Sequence, residues 1–203
     1  METFELHPQT PQKRFIDKAV STLKDGGVII YPTDTSYGFG CSIYQKAAIE
    51  RIMRIKGEEG EKLFSFIIPN FKEIARYAKV SDNNFRIMKR LLPGAYTFIL
   101  PAAREVPKKL WSKRSTVGIR IPNHAVAMSL ANELGHPITG ISVTDEHGEN
   151  LYDPEIIEEM FDKRVDLMLS AGTLEGKQSS VVDLSGETPE ILRVGAGDIS
   201  FFD

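Results

Sequence analysis

Five consecutive residues, Thr33, Asp34, Thr35, Ser36 and Tyr37, carry three hydroxyls, a carboxylate and a phenol. They follow Val28-Ile29-Ile30, a short β-branched run bounded by Gly26-Gly27, and they precede Gly38 and Gly40. A buried strand that opens into clustered polar groups is where α/β sheets hold ligands. The same residue types build Asx turns, in which Asp34 and Thr35 bond their own backbone. Both readings stand on these residues alone. Gly38 and Gly40 are expected to let the chain turn tightly or approach a ligand closely.

Cations at element ends extend the pattern. Lys56 follows a helical stretch, Arg120 closes a strand, and Arg193 lies in Leu192-Arg193-Val194-Gly195. With hydroxyls at Ser142, Thr144, Ser179 and Ser180 they could line an anion site, because guanidinium and ammonium groups offset phosphate charge while hydroxyls fix its oxygens. Arg104, Lys108, Lys109, Lys113 and Arg114 surround Trp111, which reads as an RNA contact or as a solvated loop with Trp111 in the core. Other chemistries fit poorly. GTLEGKQS (172–179) has three residues between its glycines and Gln178 after Lys177, so it is not a phosphate-binding P-loop and reads as a hairpin loop. His7, His124, His136 and His147 show no metal-ligand spacing. Cys41 is a candidate nucleophile without a base beside it in sequence, and a lone cysteine at a strand end is more often a small buried hydrophobe.

The elements that must position these groups alternate. Thr10-Pro11 is expected to start a helix whose face is Phe15, Ile16, Ala19, Val20 and Leu23, stopped by Gly26. Further helices are expected over 47–55, 71–77, 83–92 (capped by Ser81 or Asp82), 124–134 (closed by Gly135) and 154–160, capped by Asp153. Strands are expected at 64–68, 96–100, 116–121, 138–143, 165–169, 181–184 and 191–194. No repeat or long linker divides the chain, so one α/β domain over 1–203, with a large twisted mixed sheet flanked by helices, is the expected fold.

The 203 residues are 41% hydrophobic and 26% charged, enough to bury a core. A net charge of −3 argues against a generally basic nucleic-acid coat, and one cysteine excludes an internal disulfide. No apolar run approaches a membrane span and METFELHPQT lacks a signal pattern, so a soluble cytoplasmic protein without a membrane partner is expected.

Five ordered segments resemble the YrdC-like family, which includes the threonylcarbamoyl-AMP synthases: PTDTSYGFGC (32–41), LPGAYTFIL (92–100), VGIRIPNH (117–124), SSVVDL (179–184) and ILRVGA (191–196). The resemblance implies an α/β fold with a concave, positively lined cavity. It implies condensation of threonine, bicarbonate and ATP, with or without Mg, into threonylcarbamoyl-AMP. A partner transferase then modifies tRNA, and related members bind tRNA or double-stranded RNA. By position, Thr35, Tyr37 and Arg120 would serve threonine. Lys56, Thr116, Ser142, Thr144, Ser180 and Arg193 would serve the nucleotide. Two segments depart from the synthase pattern: Lys56-Gly57-Glu58-Glu59 replaces a KxR signature, and Ser142-Val143-Thr144 replaces S-x-N. With HPQTPQKR and SFIIPN they make the chain resemble the YciO branch. There RNA association is expected more firmly than synthesis, and a non-catalytic RNA-binding role or removal of the tRNA modification are the alternatives.

Overall fold

The computed structural model describes residues 1–57, 64–107, 110, 115–174 and 176–202. Among these, the strands are β1 (Glu2–Glu5), β2 (Ile29–Pro32), β3 (Tyr37–Gly40), β4 (Ser65–Ile67), β5 (Tyr96–Pro101), β6 (Thr116–Arg120), β7 (Ile138–Ser142), β8 (Leu167–Ser170), β9 (Ser180–Asp183) and β10 (Glu190–Arg193). The α-helices are α1 (Lys13–Lys24), α2 (Lys46–Ile55), α3 (Ile74–Tyr77), α4 (Asp82–Leu91), α5 (Ala125–Leu134) and α6 (Pro154–Phe161). The strands form one ten-stranded sheet in the order β1-β8-β2-β3-β7-β4-β6-β5-β9-β10. It is mixed: β8 runs parallel to β1 and β2, while β3 is antiparallel to β2 and β7.

Each face of the sheet has its own core. On one face α1 and α5 pack through Ile16, Leu23, Val126 and Leu130 against Ile29, Tyr31, Ile67 and Ile138. On the other, α2, α3, α4 and α6 bury Ile52, Tyr77, Met88 and Phe161 with Phe39, Phe66, Phe98 and Val182. Each such Ile, Leu or Phe contributes about 1.5–3 kcal/mol by leaving water. Among the described residues, α1 and α5 cover part of the first face, and beyond them residues of β7, β4, β6, β5, β9 and β10 line a cavity.

Local chemistry explains where elements differ from expectation. Helix α1 starts two residues later than Thr10-Pro11 suggests, at Lys13. Thr10 instead binds His7, both its amide and its hydroxyl lying within 3.1 Å of Nδ1. Ser81 caps α4 by accepting the Asn84 amide, and Asp153 caps α6 by accepting that of Glu155. The segment 71–77 divides into a 3-10 turn and α3. Gly38 and Gly40 make no turn: they belong to β3, paired with β2. The glycine-rich 172–179 stretch is no hairpin either, because it joins β8 to β9, strands at opposite ends of the sheet.

Candidate functional site

The cavity has a volume of about 360 Å³. Its floor follows from strand parity: residues two apart share a face. On β6, Arg120 lines it; on β4, Ser65 and Ile67; on β5, Thr97 and Ile99; on β7, Gly140 and Ser142. Register aligns Gly118, Ser65 and Gly140 side by side across three strands, so the floor there is nearly bare backbone.

Arg120 is the organising group. Its guanidinium donates to Asp34 Oδ1 at 2.7 Å and to Thr35 Oγ1 at 3.0 Å. The ion pair is enclosed, with side-chain exposures of 9% and 12%, which keeps its electrostatics strong and makes a missing partner costly. Asp34 is itself held through Oδ2, which accepts the Asn123 amide. Arg120 Nε is buried without a partner among the described residues. The turn before it is the predicted polar cluster: Thr33 Oγ1 takes the amides of Thr35 and Ser36 and donates to the Ser36 carbonyl. The cluster is thus a self-bonded turn, but Thr33 makes the backbone bonds expected of Asp34 and Thr35, whose side chains turn instead to Arg120.

Lys56, beside β7, donates to the Ser142 carbonyl and to the Thr144 hydroxyl. Arg193 gives its Nε to the Ser179 carbonyl at 2.9 Å and an amino group to Ser179 Oγ at 3.2 Å. Burial, and secondarily the Arg120 charge, draw its pKa below the usual arginine value. Two cations thus face one space, an arrangement that suits an anion.

Lys56, Tyr37, Arg120, Ser142, Thr144 and Arg193 line the cavity as expected. Thr35 is outside the lining and meets it through Thr33 and Arg120. Tyr37 keeps its hydroxyl elsewhere, donating to the Gly172 carbonyl and accepting the Ala171 amide, so it ties down the chain after β8. Two further predicted residues stand outside the lining. Ser180 is buried and spends its hydroxyl on the Gly197 carbonyl and Gly195 amide. Thr116 shares the face of Gly118 but lies one pleat farther along β6, opposite Pro101. Ser179, the neighbour of Ser180 in sequence and also among the expected hydroxyls, does line the cavity. Thr97, Ser65 and Asn150 also line the cavity and went unrecognised. Only the period-two parity of β4 and β5 could have exposed the first two. Cys41 is fully buried, its thiol pushed up to about 12 by burial, which makes it a packing residue and not a nucleophile. Glu58, with the KxR departure it marks, and Lys108, Lys109, Trp111, Lys113 and Arg114 lie outside the described residues.

The fold is that of one class of α/β protein. The Sua5/YciO/YrdC family, described as "Telomere recombination", matches residues 21–195, and the chain belongs to it. It is 40% identical over 203 residues to the uncharacterized protein YciO of Escherichia coli K12, covering 98% of each chain. The crystal structure of E. coli YciO superposes with a TM-score of 0.96 over the whole of both chains. The threonylcarbamoyl-AMP synthase of Chromobacterium violaceum is a more distant relative, 30% identical over 92% of this chain and 96% of its own. Sua5 of P. abyssi, solved in complex with L-threonine, gives a TM-score of 0.90 at 25% identity over 96% of this chain and 58% of that one.

Proposed function

We propose that the cavity binds L-threonine and an adenine nucleotide and carries out threonylcarbamoyl chemistry for the modification of tRNA. The observation that carries this reading is Arg120, a buried guanidinium fixed by Asp34 and Thr35 on the floor of a cavity that Arg193 and Lys56 also line. A carboxylate at Arg120 and phosphates at the other two cations would satisfy all three. The threonine complex of Sua5 and the named synthase relative support the choice of ligands.

In the synthetic direction the threonine amine attacks bicarbonate, water leaves, and a carbamate oxygen then attacks the α-phosphorus of ATP. The bond to the β-phosphate breaks and pyrophosphate departs with the electron pair. The chain contributes orientation and charge neutralisation, which is where much of an enzyme's rate enhancement lies. Ser142 and Thr144 serve the nucleotide as neighbours of Lys56. Thr116 and Ser180 act at most through the strands they stabilise. The partners proposed with this chemistry are tRNA or another structured RNA, and a transferase that receives the threonylcarbamoyl group.

Radiolabelled ATP, threonine and bicarbonate, followed for pyrophosphate and threonylcarbamoyl-AMP with and without Mg²⁺, test the reading. Turnover that vanishes in Arg120→Ala is the expected result. Absence of turnover, with neither ligand raising the melting temperature, would overturn it. Loss of the threonylcarbamoyl group from modified tRNA would reverse the direction of the chemistry.

A further inference from the structure

Arg120 and Arg193 stand at the two ends of one cross-strand row. Register pairs Arg193 of β10 with Val181 of β9, and Val181 with Thr97 of β5. One residue beyond the Phe98–Ile119 pair, Thr97 faces Arg120 of β6. Three strand spacings separate the arginine backbones, about 14 Å. Thr97 and Val181 floor the gap.

Two guanidiniums lining one cavity repel each other, and the protonated form of Arg193 is disfavoured first by burial and then by Arg120. The two differ in how they are held. Arg120 has the Asp34 carboxylate as counter-charge. The bonds drawn by Arg193 go to a neutral residue, the carbonyl and hydroxyl of Ser179. Arg193 also sits on the edge strand β10, beside Leu192 and Val194, which are 48% and 66% exposed. An arginine there, repelled from within, would swing into solvent unless restrained.

Ser179 Oγ is restrained in turn. It lies 2.9 Å from Thr97 Oγ1, and both residues are buried. Ser179 Oγ accepts from Arg193, and its contact with Thr97 Oγ1, in which either hydroxyl can donate, extends the chain Arg193–Ser179–Thr97 to the sheet floor. We propose that Thr97 is a positioning residue. Acting through Ser179, its hydroxyl holds the Arg193 guanidinium over the cavity against the repulsion of Arg120 and so preorganises the site for a polyphosphate or adenylate anion. This rests on the nucleotide reading above and adds to it a residue on the sheet floor.

The test uses the whole protein and the near-isosteric Thr97→Val, with Thr97→Ser as the conservative variant. Calorimetric titration with ATP, inorganic pyrophosphate and L-threonine should show the two phosphate ligands weakened about 5- to 10-fold in Thr97→Val, threonine unchanged, and Thr97→Ser near wild type. In an Arg193→Ala background Thr97→Val should weaken neither phosphate ligand further, because the residue acts only through Arg193. A ligand-independent readout accompanies these: the Arg193 Nε–H resonance should be protected from exchange in wild type and Thr97→Ser and lost in Thr97→Val. Equal losses for threonine and phosphates, a persisting effect in the Arg193→Ala background, or an unchanged Nε–H would overturn the proposal. If wild type binds no phosphate ligand, the nucleotide reading fails, and the Nε–H signal alone decides the clamp.

Discussion

At the scale of the residue, the Arg120–Asp34 pair joins stability to ligand recognition. Asp34→Ala would leave a guanidinium enclosed without its counter-charge, and urea unfolding should register a loss of about 3–5 kcal/mol. Arg120→Ala should abolish the stabilisation given by threonine. Cys41, with its thiol raised to about 12, should resist iodoacetamide at pH 8 until denaturant is added. The histidines give a pH signature. His124 and His136 are both drawn below 6.5, chiefly by burial, so the unfolded chain takes up their protons first. Stability should therefore fall as pH drops through 6.5 toward their lower folded values, and the slope should be shallower in a His124→Gln variant. Much of this layer was legible: Asp34, Thr35, Arg120, Lys56 and Arg193 carry charge or hydroxyls at element ends, where ligands collect. Ser179 and Ser180 were both candidates, since adjacent serines at a strand start look alike until pleat parity assigns one to each face.

At the scale of the element, small residues decide what the sheet can hold. A Cβ on Gly40 would lie 2.6 Å from the Tyr31 ring and 2.9 Å from Ile138 Cγ2. Gly40→Ala should therefore cost on the order of 1–3 kcal/mol in thermal or chemical unfolding. Gly118 is different. Its added Cβ would meet Thr97 Cγ2 at 3.2 Å and the Ser65 backbone at 3.4 Å, on the cavity floor. Gly118→Val should weaken ligand binding by more than it lowers the melting temperature. These roles explain what sequence patterns missed. Two glycines in four residues hid β3, although they serve close packing against Tyr31 and not a turn. Strand β1, with the alternating ETFE, has no apolar run to announce it, because an edge strand needs only one sheltered side. The amphipathic helices, by contrast, were readable from spacing alone.

For the whole molecule, covering helices divide the labour. Among the described residues, four α-helices pack one face of the sheet and two pack part of the other, and the cations converge beyond those two. A ligand placed there binds the folded chain only. Threonine or ATP at 100 times its dissociation constant should thus stabilise the protein by about 2.7 kcal/mol, read as a rise in melting temperature. That part of the face could not be foreseen from sequence, since it is set by where α1 and α5 end.

Strand β8 lies between β1 and β2, although more than a hundred residues of chain separate it from either. Synthesis from the N-terminus therefore exposes β1 without any neighbour, and β2 with β3 alone, until residues 167–170 leave the ribosome. Pulse-labelled amide exchange during refolding should show β1, β2 and β8 becoming protected together and late. In a growing chain the earliest-made strand of this sheet is among the last to find its place.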